Sequence, residues 1–158
     1  VNLSEHFTLE EMVRSQTASR LGIDNTPDAE EIENGKRLAN ECLEVARAIL
    51  SKAYGREISM HADSGFRCRA LNRAVGGSET SAHTEFLAGD MIPDLPPNVS
   101  LRMAFDLLRK DNSLPYDQII MECNEWIHLG LARPGREPRR EMMVAVGGPG
   151  HWKYEFVK

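Results

Sequence analysis

The sequence predicts an α+β fold: a helical N-terminal part followed by a small antiparallel sheet flanked by further helices. Three observations carry this. Apolar residues between Thr26 and Ala53 recur every three or four positions, the period of a helix with one buried stripe. From Ile58 the period changes to two, with Ile58, Met60 and Ala62 alternating with Ser59, His61 and Asp63, as in a strand with one buried face. Three further apolar runs, Gln118–Met121, Trp126–Leu131 and Met142–Val146, then follow one another across turns, which suits antiparallel neighbours.

Taken in order, Thr8-Leu9-Glu10-Glu11 has the form of a capping box, with the Thr8 hydroxyl set to accept the amide three residues on and Glu11 able to reach back, so a short helix starts at Leu9. Thr26-Pro27 announces a second helix, because proline costs nothing at the first helical position and Asp28, Glu30 and Glu31 suit the positive helix end. Its stripe is Leu38, Ala39, Cys42, Leu43, Ala46, Ile49, Leu50 and Ala53, and Gly55 stops it. Arg69–Val75 reads as a short helix ended by Gly76-Gly77, and Leu101–Lys110 as another with Leu101, Ala104, Phe105 and Leu108 on one side. Between them runs a polar loop, Ser78–Thr84. The Pro/Arg/Gly-rich stretch Arg133–Arg140 reads as a solvated hairpin loop, with contact to an anionic polymer as the sharper alternative for its four arginines.

Composition narrows the function classes. At 158 residues the chain is one domain, divided into a helical part (1–55) and a sheet-containing part (56–158), and 41% hydrophobic residues can fill one core. A net charge of -5 argues against nucleic acid as a partner, since no excess cation is available for phosphates. No apolar run is long enough to span a membrane, and the acidic opening VNLSEHFTLEEM is unlike a secretory signal. The three cysteines, Cys42, Cys68 and Cys123, form no C-x-x-C pair and read as reduced, packed thiols.

Of the five histidines, His6 and His151 read as exposed and uncommitted, and His61 as a hydrogen-bonded sheet histidine. His83 sits in the polar loop, seven residues before Asp90, a charged residue inside the apolar run Leu87–Ile92. Burying a lone carboxylate is costly, so Asp90 needs a cation or an exposed edge. His128 repeats the anomaly in Trp126-Ile127-His128-Leu129. Two such strands side by side would unite the three groups into the His, Asp, His set of a catalytic zinc site with one position open; satisfied core histidines are the other reading.

The wider text is more specific. Ser64-Gly65-Phe66-Arg67, Ala70-Leu71-Asn72-Arg73-Ala74-Val75-Gly76-Gly77-Ser78, Ser81-x-His83 with Asp90, and Trp126-Ile127-His128 resemble the zinc D-Ala-D-Ala carboxypeptidases and L-alanyl-D-glutamate endopeptidases. The opening Ser4–Glu11 and Leu21–Pro27 resemble the branch common in bacteriophages and prophages. The resemblance implies one zinc ion per chain on His83, Asp90 and His128, with Arg67 stabilising the scissile carbonyl and Ser81 either binding substrate or capping its loop. Two imidazoles and one carboxylate leave zinc a formal charge of +1, enough to bring the pKa of bound water toward ~7. An acidic residue three before the last histidine, Glu125, is the general base this resemblance favours; Glu122, six before, matches phage-type relatives. An unbroken strand over 122–128 would put Glu122 on the His128 face, and a turn at Cys123-Asn124 would reverse that. Glycine is usual where this chain has Phe86; if that glycine serves a positive φ, the loop takes another path, with the ring walling the groove or packing beneath it.

These features imply a monomeric hydrolase of bacterial peptidoglycan peptides, acting in phage lysis from the host cytoplasm or carried in the virion. A noncatalytic wall-peptide-binding or virion module that keeps the fold is the alternative, and a metal-free α+β protein leaves Asp90 and His128 unexplained.

Overall fold

The long helical region begins at Ala29. The computed structural model, which describes residues 1–148 and 151–158, opens with two short helices, α1 (Leu9–Val13) and α2 (Gln16–Leu21). Thr8 caps α1 by accepting the Glu11 amide at 3.2 Å, but the Glu11 carboxylate does not return to it. It accepts the Ala62 amide at 3.0 Å instead, satisfying a donor on an edge strand. The cap of the long helix is Asp28, in a reciprocal capping box with Glu31; Thr26 spends its hydroxyl on Asp24 at 2.6 Å. From there α3 (Ala29–Arg37), a π-helical segment (Leu38–Leu43) and α4 (Glu44–Tyr54) form one continuous element. Gly55, at φ 66°, ends it. The wide π turn carries Leu38, Ala39, Cys42 and Leu43 into the core. Burial pushes the Cys42 thiol up to about 12, which keeps it protonated and inert.

Six strands form one sheet: β1 (Met60–Ser64), β2 (Ala88–Pro93), β3 (Gln118–Glu122), β4 (Trp126–Gly130), β5 (Glu141–Val146) and β6 (Lys153–Phe156), in the order β1-β2-β4-β3-β5-β6. All neighbours are antiparallel except β3 and β5. The helix α5 (Arg69–Ala74) and a 3-10 turn (Ala82–Glu85) lie between β1 and β2, and α6 (Leu101–Lys110) between β2 and β3. Residues 131–140 are therefore a crossover past the end of β3, not a hairpin. Arginines pin it: Arg139 pairs with Asp117 at 2.8 Å, Arg140 stacks over Tyr116 with its guanidinium carbon 4.1 Å from the ring centre, and Arg133 pairs with Glu85 at 2.7 Å. No helix among the described residues is long and apolar enough to cross a membrane.

Register divides the sheet into two unlike faces. Met91, Ile127, Leu129 and Ile119 point to the side where the long helix and α6 supply Leu43, Ala46, Leu50, Ala104, Phe105 and Leu108, and all of these are buried in one apolar cluster. The other face carries the paired residues Asp90, His128 and Ile120 in one row, with Met143 beyond them, and Trp126 and Glu122 in the next.

Phe86 supports this second face from below. It keeps the left-handed conformation, φ 59° and ψ 34°, at the end of the 3-10 turn, so the loop does not take another path. Its ring is fully buried, packs on Phe66 at 5.4 Å, and lies where a Cβ on Gly35 would come within 2.9 Å. A buried phenylalanine is worth about 3–5 kcal/mol over alanine, more than the ~1–2 kcal/mol cost of left-handed backbone, so the strain is tolerated. Phe86→Gly should be destabilising by about 2–4 kcal/mol, yet less so than Phe86→Ala by about 1 kcal/mol, because only the glycine sheds the backbone strain. Urea denaturation of the two variants checks the order; alanine proving the milder change would contradict it.

Candidate metal centre

The segment Ser64–Arg67 crosses directly over α1. A Cβ on Gly65 would fall 2.3 Å from the Met12 carbonyl oxygen, and the next amide, Phe66, donates to that same oxygen at 2.8 Å. Only glycine permits this approach. Asn25 then clamps the segment: its amide donates to the Val13 and Phe66 carbonyls at 2.8 and 3.0 Å, and its oxygen accepts the Cys68 amide at 2.8 Å. With both sides held, the Gly65 carbonyl accepts His83 Nδ1–H at 2.6 Å, and the Arg67 amide donates to the His83 carbonyl at 3.1 Å. Ser81 caps the 3-10 turn that carries His83, accepting its amide at 3.3 Å.

The bond to Gly65 fixes the His83 tautomer and leaves Nε2 as a lone-pair donor. Nε2 is buried, without a hydrogen-bond partner, and stands 3.3 Å from Asp90 Oδ1. His128 Nδ1 stands 3.0 Å from the same oxygen. One ligand atom from each of the three residues lies within 4.8 Å of the others, and all three residues are buried. Zinc bonds of about 2.0–2.1 Å set tetrahedral ligands about 3.3–3.4 Å apart, so these spacings fit a cation placed among them. The orphaned Nε2 of His83 gives the same answer, since a buried acceptor with no donor is otherwise a pure cost. Burial holds the His83 imidazole below its ordinary pKa and therefore neutral. Burial alone would raise the Asp90 carboxyl, but the adjacent His83 and His128 outweigh it and hold it well below the carboxylate range. The His83 imidazole and the Asp90 carboxylate are thus in their ligating forms at neutral pH.

An open cleft of about 940 Å³ runs over this cluster. Arg67 lines it, mostly buried, with Nε lacking any partner; burial lowers its pKa and the nearby Asp90 and Glu122 oppose the fall. Glu122 also lines it. Its carboxyl is raised first by burial and then by the charge of Asp90, and Oε2 accepts Trp126 Nε1–H at 3.0 Å. Glu125 does not line the cleft: it is exposed on the three-residue turn 123–125 between β3 and β4. Contrary to the expectation for a break at Cys123-Asn124, that turn does not reverse the face of Glu122. Cys123 and Asn124 both adopt positive φ (50° and 55°), which closes the hairpin with Glu122 still opposite Trp126, on the side of His128.

His61 is exposed on β1, and His151 is exposed. His6 is committed after all, sharing Glu44 with Ser4 and holding its carboxylate at 2.8 Å. Trp152 and Tyr154 are among the cleft residues that escaped the sequence reading. Their signal is the alternation of aromatic and charged residues in Trp152-Lys153-Tyr154-Glu155-Phe156, a strand period set beside a glycine-rich stretch.

A family model described as Peptidase M15 matches residues 5–130, well over half of the chain and inclusive of Arg67, His83, Asp90, Glu122, Glu125 and His128. No curated protein matches the chain. The matched region ends at β4, before β5 and β6.

The geometry makes a stoichiometric forecast. Purified protein dialysed against micromolar zinc should retain one equivalent by plasma mass spectrometry, and Asp90→Asn, which preserves shape but removes the charge, should lose it. Full zinc occupancy in the variant would count against the cluster.

Proposed function

The chain belongs to the peptidase M15 family of zinc peptidases, and from that premise we propose that it hydrolyses an amide bond in the stem or cross-link peptides of bacterial peptidoglycan, as an endolysin-like enzyme of bacteriophage or prophage origin. The observation that carries the proposal is the buried His83–Asp90–His128 cluster at the floor of a cleft that also holds Arg67 and Glu122. The phage setting is supported by the N-terminal segments Ser4–Glu11 and Leu21–Pro27, which resemble that branch. A wall peptide as substrate is supported by the cleft's mixed charge, with Arg14, Arg67, Arg133 and Arg139 beside Asp63, Glu85 and Asp117, suited to short peptides bearing both carboxylates and amines.

His83 Nε2, Asp90 and His128 Nδ1 would hold zinc, which would supply Lewis acidity toward the scissile carbonyl and acidify water at neutral pH. The remaining work falls to the chain. Glu122 takes the proton of the attacking water and delivers it to the leaving nitrogen. Its raised pKa suits both halves, because a base closer to neutrality returns a proton more readily. Trp126 holds one carboxylate oxygen, leaving the other to face the cleft. Arg67, a cation without a carboxylate partner within salt-bridge distance among the described residues, stabilises negative charge developing on the carbonyl oxygen. Ser81 acts as the cap of the His83 turn. Phe86 beneath the site and Glu122 within the cleft both favour catalysis over a binding module that merely keeps the fold.

Mass spectrometry of fragments released from purified peptidoglycan tests the substrate, and the newly freed amine names the bond; an inert wall digest from zinc-loaded protein would reject the reading. Glu122→Gln should retain zinc and lose about 10²–10⁴-fold in kcat/KM, whereas Glu125→Gln, on the turn, should stay within about threefold of wild type. Because the base works deprotonated, kcat/KM should rise with pH along an acidic limb lying above 4.5, the ordinary glutamate value. A limb below that value, or turnover lost in the Glu125 variant instead, would transfer the role.

A further inference from the structure

The C-terminal hairpin β5–β6 lies outside the matched family region yet lines the cleft through Met143, Trp152 and Tyr154. Its register is informative. Glu122 pairs with Ala145, and Ala145 pairs with Tyr154, so the three stand in one row across β3, β5 and β6 on the face that carries Asp90 and His128. The row spans two strand spacings, about 9.6 Å. Its middle member is a small, buried alanine, over which a long side chain from β6 can extend toward Glu122. The hairpin is anchored at its tip, where Cys123, the residue after Glu122, donates its thiol to the Gly147 carbonyl at 3.1 Å. At its base Val157 donates to the Met142 carbonyl at 3.0 Å.

Tyr154 is 48% exposed although its ring borders the cleft, so the side chain is not there to fill the core. Burial raises the phenol's pKa, Glu122 and Asp90 raise it further, and Arg67 opposes them; all three charged groups of the floor are felt at this position. The hydroxyl is therefore a neutral donor at working pH, and no hydrogen bond to another described residue contributes to that balance.

We infer that Tyr154 is a substrate-contacting residue, its hydroxyl donating a hydrogen bond from the β6 side of the cleft to a carbonyl or carboxylate oxygen of the peptide bound between it and Arg67. The inference rests on the peptidase reading and adds a group that the family match does not cover.

Tyr154→Phe removes the donor and keeps the ring. Zinc content and melting temperature should match wild type, while kcat/KM on purified muropeptides falls about tenfold. Binding separates contact from indirect effects: in the Glu122→Gln background, which holds peptide without turning it over, the Kd read from Trp126 and Trp152 fluorescence should also rise about tenfold on adding Tyr154→Phe. Wild-type cleavage with both values within twofold in the phenylalanine variants would overturn the contact and leave the peptidase standing. Absence of wild-type cleavage would overturn both.

Discussion

Everything in the cleft depends on the Asp90 carboxylate being tolerated inside an apolar sheet. The side chain is 9% exposed, at a position where an unpaired charge would cost several kcal/mol. Two imidazoles meet it from opposite directions, and a cation held by all three would offset the charge. One, His128, is its cross-strand partner in the β2–β4 pairing; the other, His83, reaches over from a loop. Three polar groups that would each destabilise the core alone become the donor set for a cation together. The sheet register is what makes them one group, since a slip of one residue would send His128 into the helix-packed face.

The loop that brings His83 is built with little freedom. Gly65 lies against the α1 carbonyl, Asn25 bonds three backbone groups, and Phe86 fills the space above Gly35. These contacts act on the metal ligand at one remove, through the Gly65 carbonyl that selects its tautomer. The N-terminal helices thereby become part of the site although they contribute none of the three candidate ligands. Orienting bonds of this kind commonly matter to metal affinity nearly as much as the ligands do.

The candidate ligands were legible because they broke local rules: Asp90 and His128 are polar residues in otherwise apolar strands, and the serine and glycine positions around Arg67 and His83 repeat a recognisable text. The two-sided sheet followed from period-two alternation, and the long helix from its stripe and its Gly55 stop. Other features lay beyond local pattern. Asn124 allows a turn, but Cys123 gives no sign of a second left-handed residue beside it, so the face of Glu122 could be decided only by pairing. Asp28 outcompeted Thr26 as a cap because Asp24 had already engaged the threonine hydroxyl. The crossover over 131–140 reads as a loop in sequence, and only the parallel pairing of β3 with β5 shows that its arginines pin a chain passing an open sheet end. In β6 the aromatic alternation was present in the sequence, masked by neighbouring glycines.

The donor atoms are a more exacting claim than the presence of metal. His83 must bind through Nε2, because Nδ1 is given to Gly65, and His128 through Nδ1, the nitrogen that faces Asp90. Anomalous diffraction at the zinc edge from crystals grown with zinc tests this directly. One peak about 2.0–2.2 Å from His83 Nε2, an Asp90 oxygen and His128 Nδ1 is the result expected. A peak bonded to fewer than all three residues, or through the opposite imidazole nitrogens, would contradict the account.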